Sequence, residues 1–517
     1  MPLSDESAEE KAAITAKDNK DIAKGAGANF FGFLIRLGSR LPFLVLAVAL
    51  FDLELYGRYG FTITTIEICA AFATFGFKRS LFKFIHDDDY AGKYSVEQVM
   101  ISALVWSVFV GAIFTGIVIL SAETLSMWFD YPEMVDGLIT LAPIIMVTTA
   151  LDVILAGTRA TRKMRYEVIA RSIVEPYILL IAMLAFYYLG FKETGLILAY
   201  AVALTLALCY AIWGFCNLYS LEKTLSARPN LSLIKNLASF SGPTAFHDLA
   251  LLIFMRMDIF AVKFFFAETV LGIYSIAQQF ATTVEKIYQS FHPILSPVMA
   301  KNLVEKDFKT VAQQMTMVSR WILMIQGILV VLSIFYGEAL FTVIAPADTE
   351  ASLLVTGGLI LLFLMIGETI NGGFGIADLP IIYRSPLFNP IISVLMIPVY
   401  MVLVYLYTQN YDLGPVGVAM ALCTTYFIMN LLRVLIINKL YGINMLNIKI
   451  FKVIFASAFC TVIFKLATAY SPINLINGWG VAVGIPLVII LYGICQILFG
   501  LERIDKEKIM QKMSSKK

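Results

Sequence analysis

Lysine and arginine fall on alternate connections between long apolar runs, and this alternation limits the chain to one class of fold. Apolar runs recur from near residue 25 to near residue 499. There are about fourteen, each long enough to cross a bilayer core of roughly 30 Å as a helix. One set of connections carries Lys11, Lys17, Lys20 and Lys24, then Lys78, Arg79, Lys83 and Lys93, then Arg159, Arg162, Lys163 and Arg165. It continues through Lys223, Arg228 and Lys235, Lys301, Lys306 and Lys309, Arg384, Lys439, Lys449 and Lys452, and the tail from Arg503 to Lys517. The intervening loops offer only Arg58, Lys192 and Lys263. Basic residues retained on one side are the positive-inside signature. The expectation is an all-α integral membrane protein with both termini in the cytoplasm and an even number of crossings.

The composition excludes several other classes. Hydrophobic residues make up 59% and charged residues 15%, with a mean hydropathy of +0.81, far from a soluble domain's balance. A net charge of +2 is no nucleic-acid signature, so no nucleic-acid partner is expected. Cys69, Cys209, Cys216, Cys423, Cys460 and Cys495 all lie inside apolar runs without metal-ligand spacing, and read as small packed hydrophobes. The polar start is not expected to be a cleavable signal. Ser7 and Glu10 have capping-box spacing, which leaves a short cytoplasmic helix or a disordered tail there.

The expected spans are approximately 27–50, 59–84, 97–120, 136–157, 168–189, 194–217, 239–265, 269–293, 318–344, 352–374, 381–407, 413–437, 449–469 and 477–499. A weak internal repeat divides them. Gly57-Arg-Tyr59 and Gly272-Ile-Tyr274 each sit at the start of a span, about 215 residues apart. Arg40 precedes Gly57 by 17 residues and Arg256 precedes Gly272 by 16. The expected organisation is a cytoplasmic tail (1–24), an N-terminal bundle (25–218), a cytoplasmic linker (219–236), a C-terminal bundle (237–440), an added helix pair (441–500) and a basic tail (501–517). Two pseudo-repeated six-helix bundles of this kind place a substrate site between the halves.

Charges inside the spans carry the functional reading. An ionised side chain at bilayer depth costs about 2.5–3.5 kcal/mol, so it needs a partner, water or a task. Arg36 and Arg40 are four apart and share a helix face, and Asp248 and Arg256 lie two turns apart. Asp258, Lys263, Glu285, Lys286, Glu67, Asp152 and Glu368 also fall within spans. Arg320, Arg433, Lys465 and Glu175 lie near span ends, where snorkelling is the simple reading. Pairing between acids and bases would merely hold helices together. The functional alternative is a hydrated cavity in which Arg36, Arg40 and Arg256 bind an anion. Guanidinium stays charged and grips phosphate through two parallel hydrogen bonds. Asp248 and Glu368 are the candidates for neutralising the cavity or carrying a coupling ion. Gly242-Pro243, Gly372, Gly373, Gly375, Pro386, Pro390 and Pro398 add bending points that mildly favour a moving transporter.

No nucleotide-binding loop is present, and no cofactor or metal is called for. Of the three histidines, His86 heads the acidic run Asp87 to Asp89, which reads as a solvated turn; His247 beside Asp248 is a weak dyad match; His292 precedes Pro293 and reads as structural. No outer loop is long enough to house an enzyme's site.

The stretch Phe51-Asp-Leu-Glu-Leu-Tyr-Gly57-Arg-Tyr59, an apolar run to Phe75-Gly76-Phe77, then Arg79-Ser-Leu-Phe-Lys-Phe-Ile85, resembles the opening of polysaccharide-transport proteins. These are the oligosaccharide-lipid flippases (Wzx-type) of the multidrug/oligosaccharidyl-lipid/polysaccharide exporter superfamily. Leu271-Gly272-Ile-Tyr274-Ser-Ile-Ala-Gln-Gln-Phe280 matches in the second half. The resemblance implies a flippase, not an enzyme, that moves undecaprenyl-pyrophosphate-linked oligosaccharide across the bacterial cytoplasmic membrane by alternating access. The products served would be O-antigen, capsule or exopolysaccharide. It implies membrane lipid, H+ or Na+, and polysaccharide polymerases as partners. One charge crossing 100 mV gains about 2.3 kcal/mol, enough to bias transport. A lipid II flippase and an ion-coupled drug exporter of the same superfamily are the alternatives.

Overall fold

The computed structural model describes the backbone of residues 3–75, 77, 81, 84–85, 94–160, 165–384, 387–471, 474–476 and 478–502. Side chains are described from residue 35 onward, except at 37, 221, 225, 243, 244, 247, 248, 292–294, 296, 297, 300, 301, 304, 383 and 384. Asp248, His86, His247, His292 and the Asp87–Asp89 run therefore lie outside the described residues.

Every regular element among the described residues is helical. The helices are α1 (Leu3–Thr74), α2 (Val96–Trp128), α3 (Met134–Leu141), α4 (Ile144–Ala160), α5 (Arg165–Tyr188), α6 (Gly195–Cys216), α7 (Leu221–Ser226) and α8 (Leu231–Phe265). They continue as α9 (Glu268–Val304), α10 (Phe308–Ile344), α11 (Ala351–Gly375), α12 (Asp378–Arg384), α13 (Phe388–Asn410), α14 (Gly414–Tyr441), α15 (Ile448–Tyr470) and α16 (Gly480–Gly500). Nine are long and apolar enough to cross a membrane, or ten when the bent pair α3–α4 is counted as one span. A bilayer is the only solvent that tolerates so much apolar helix surface, with every backbone group satisfied inside its own segment.

Three long helices outside that set, α1, α8 and α9, are rich in inward charge. The nominal helix α1 is two crossings. Phe43 and Tyr59 are 16 residues apart, about 24 Å along a straight helix, yet their rings lie 5.9 Å apart. The chain doubles back at Asp52, whose backbone takes φ 67° and ψ 174°. The Asp52 carboxylate accepts the Leu55 amide at 3.0 Å and so caps the second arm. With both arms of α1 counted, and α8 and α9 added, the crossings match the fourteen expected.

The two motif glycines meet. A Cβ on Gly57 would lie 2.8 Å from the Gly272 amide nitrogen, and one on Gly272 would lie 2.2 Å from the Leu53 carbonyl oxygen. Only glycine lets these backbones approach so closely. Here α1 is bolted to α9 at one end of the molecule. Beside this crossing, Lys263 Nζ sits 4.0 Å above the Tyr131 ring and 3.6 Å from Glu268, while Arg58 reaches Glu54 at 3.9 Å. Gly372 and Gly373 serve packing: a Cβ on either would strike the side chain of Gln326 or Leu323. They bring α11 against α10 and do not act as a flexible end.

Candidate functional site

The site begins on the first arm of α1. Pro42 lies inside this helix; it has no amide hydrogen, so the i−4 bond to Gly38 is missing and the arm can bend. Arg36 and Arg40 occupy the turns just before it. Both guanidinium groups enter a cavity of about 170 Å3 that Arg256 enters from α8. The three residues singled out as anion binders are thus brought to one place. The repeat-related pair Arg40 and Arg256 also lines an adjoining cavity of about 100 Å3.

Two of the three arginines are countered by acids. Arg256 Nη2 donates to Glu67 Oε2 at 3.1 Å, a bond that joins α8 to the second arm of α1. Its Nη1 approaches Gln278 Oε1 at 3.5 Å. Arg36 stands 3.9 Å from Glu175. Among the described residues Arg40 has no ion pair and no hydrogen bond, although it borders both cavities. Arg40 is the cation most open to a ligand.

A second layer supports these groups. Residues Ala170–Val174 of α5 form a π turn, with the Glu175 amide donating five residues back to Ala170. Pro176 follows and lacks the amide that an α-helix would use there. The widened turn places Arg171 against Glu175 at 2.9 Å and against Asp152 of α4. Glu175 therefore does not snorkel: it is held by Arg171 and faces Arg36 inside the bundle. On α8, Asp258 accepts the Tyr274 hydroxyl at 3.1 Å, the Gln278 amide at 2.9 Å and its neighbour's backbone amide at 2.9 Å. On α9, Glu285 accepts from Gln289, which in turn accepts from Lys286 at 2.6 Å.

Glu368 lies apart from the arginines. It is 8% exposed, accepts the Tyr426 hydroxyl at 3.3 Å through Oε1, and has an unpartnered Oε2. Asn371 and Asn430 continue this polar seam between α11 and α14, with 3.4 Å between their amides. Asp248 is outside the described side chains, so its expected role is not placed. Arg320 and Arg433 also depart from the snorkelling expectation, because both are buried. Arg320 donates to the Gly500 carbonyl at 2.9 Å and lies 3.7 Å from Glu502. It ties the end of α16 to α10.

Sequence reading picked the arginines because arginine in an apolar run is conspicuous. It gave no role to Glu67, Arg171, Gln278, Gln279 or the tyrosines of the adjoining cavity. Glu67 and Arg171, as charges within spans, could have been paired in advance.

Comparison with known proteins agrees with this architecture. A sequence model of the family described as polysaccharide biosynthesis protein matches residues 49–346. No curated protein sequence matches the chain significantly. Among solved structures, the lipid II flippase MurJ in an inward closed conformation is similar at a TM-score of 0.71 and 14% identity, covering 92% of this chain and 98% of that one. An inward-facing multidrug resistance MATE family transporter of the MOP superfamily gives a TM-score of 0.63 at 13% identity, covering 79% and 98%. A MOP superfamily transporter from Pyrococcus furiosus, whose title notes reversed polarity of its binding pocket, gives 0.61 at 13% identity, covering 82% and 96%. At such identities the likeness concerns the fold alone.

Proposed function

We propose a specific task for this chain, starting from the premise that it belongs to the polysaccharide biosynthesis protein family and has the MOP transporter fold. It is a flippase that carries undecaprenyl-pyrophosphate-linked oligosaccharide from the inner to the outer leaflet of the bacterial cytoplasmic membrane, feeding O-antigen, capsule or exopolysaccharide assembly. The observation that carries this reading is the meeting of Arg36, Arg40 and Arg256 in one buried cavity. Arginines from both repeats converge there, and a diphosphate is the lipid-linked group that needs several guanidinium partners.

The end closed by Gly57 and Gly272 faces outward in this reading, and both termini face the cytoplasm. The N-terminal bundle (25–218) and the C-terminal bundle (237–440) rock about that crossing. A substrate diphosphate takes Arg40 first and then competes with Glu67 for Arg256. Glu368, a buried carboxyl without a cationic partner among the described residues, suits a proton or Na+ that couples the cycle to the membrane gradient; Asp248 is the second candidate. A polysaccharide polymerase would receive the product.

The lipid precursor of peptidoglycan carries the same diphosphate, so the arginines would serve it equally. A viable deletion strain separates the two readings. The test is lipid-linked glycan analysis of that strain beside its surface polysaccharide. Accumulated undecaprenyl-pyrophosphate oligosaccharide with no surface polymer is the expected result. Unchanged glycans at both places would overturn the proposal and direct attention to drug export.

A further inference from the structure

The smaller cavity, about 100 Å3, differs in chemistry from the arginine cavity it adjoins. Phe43, Tyr56, Tyr59 and Tyr200 form much of its wall, with Ser275 opposite. Their rings make a contiguous cluster: Tyr59 lies 5.9 Å from Phe43, 5.9 Å from Tyr56 and 6.3 Å from Tyr200. All are at least nine-tenths buried, with Tyr56 at 4%, Tyr59 at 8% and Tyr200 at 9% exposure. Among the described residues no hydrogen bond reaches the hydroxyl of Tyr56, Tyr59 or Tyr200. Ser275 Oγ is likewise buried without a partner.

Ser275 Oγ is thus a buried polar atom without a partner, and three phenol residues without protein hydrogen bonds share its cavity; such a lining suits a ligand with many hydroxyls of its own. A pyranose has that chemistry. Its equatorial hydroxyls match the phenols and its C–H faces match the aromatic rings, which are apolar in body and polar at the tip. Glu67 and Glu175 also border the chamber. They can accept sugar hydroxyls, and Arg40 and Arg256, which line the same chamber, balance their charge.

We propose that this tyrosine chamber is a sugar subsite, which holds a sugar next to the diphosphate while Arg36, Arg40 and Arg256 hold the diphosphate itself. The assignment rests on the flippase reading and extends it to the head group. By volume the closed chamber admits about three water molecules, so a sugar ring enters as the two halves part from the Gly57–Gly272 crossing. The arrangement fixes the order of groups along the pathway. The sugar leads toward the motif glycines, and the diphosphate follows on the Arg36 side.

The test uses the full chain in lipid nanodiscs and two probes, a short-chain prenyl diphosphate and the same prenyl diphosphate bearing N-acetylglucosamine. Wild type should bind the sugar-bearing probe roughly tenfold more tightly, the gain expected from a few hydroxyl contacts. The double variant Tyr59→Phe, Tyr200→Phe keeps the rings and removes the hydroxyls. It should bind both probes alike, at the affinity of wild type for the bare diphosphate. Ser275→Ala gives a second variant, with a smaller loss, should the first not fold. Arg40→Ala should weaken both probes. Equal binding of both probes by wild type, or an undiminished sugar preference in both hydroxyl variants, overturns the subsite and leaves the flippase reading standing. Failure of wild type to bind the bare diphosphate strikes the flippase reading itself.

Discussion

Two buried polar regions in this molecule solve the same problem in opposite ways. Around the arginine cavity, charge is met by charge: Arg256 with Glu67, Arg171 with Asp152 and Glu175, Arg36 beside Glu175. Around Glu368, an acid is met by one neutral donor, the Tyr426 hydroxyl, with Asn371 and Asn430 bonded to each other in the same seam. Both lie where an unpartnered ion is costly. Under the proposed function, the first region would exchange an internal carboxylate for an external phosphate and the second would take one small cation. Substrate recognition and energy coupling would then occupy separate places, linked by motion of the helices that carry them.

The comparison breaks most visibly at the arginines. Arg40→Ala and Arg256→Ala, singly, should each lower transport at least about a hundredfold if one charged diphosphate contact is lost. Lysine at either position should restore part of it, since the charge remains but the two-pronged grip does not. Full activity from both alanine variants would remove the site from the arginine region.

The close crossing gives a nearly equal effect by another route. In Gly272→Val the added carbon falls 2.2 Å from the Leu53 carbonyl, so α1 and α9 cannot close. We expect lost transport with a folded protein, and a cysteine placed at Ser275, which is buried while the crossing is closed, should become reactive to a membrane-impermeant thiol reagent from outside. Protection equal to that of a Gly272 protein would show that the crossing is no gate.

A smaller effect sharpens the division between the regions. Glu368→Gln should leave diphosphate binding unchanged and reduce gradient-driven transport by up to roughly fiftyfold at 100 mV, the scale of one lost charge contribution. Loss of binding instead would mean that the two regions are not separate. Last, Arg171→Leu leaves Asp152 and Glu175 without their partner and should destabilise the fold by about 3 kcal/mol, visible as a lower midpoint in a thermal scan. An unchanged midpoint would show that the layer behind the cavity is not structural.

What the sequence made legible follows the physics of a bilayer. Fourteen apolar runs and a one-sided distribution of lysine and arginine are strong signals, because lipid punishes every exception. Arg36, Arg40 and Arg256 were visible for the same reason. Glu175 was not, since its position near a span end resembled snorkelling; only the π turn of α5, with Asp152 on another helix, draws Arg171 onto it. Arg320 was misread likewise, because its partner Gly500 lies 180 residues away. Gly57 and Gly272 were visible as a repeat but not as a contact. Tyr59 was visible as part of the repeated Gly-x-Tyr step but not as a cavity wall, and Tyr200 gave no signal, since tyrosine is ordinary in membrane proteins.

The most direct test is transport itself. The purified chain is placed in liposomes loaded with a lipid-linked oligosaccharide, and arrival of the glycan on the far leaflet is followed with an impermeant glycosidase. The account predicts rapid exposure with wild type and a rate near that of protein-free liposomes with Arg40→Ala, Arg256→Ala. Exposure by the double variant as fast as wild type, or no exposure by wild type above the protein-free rate, would contradict it.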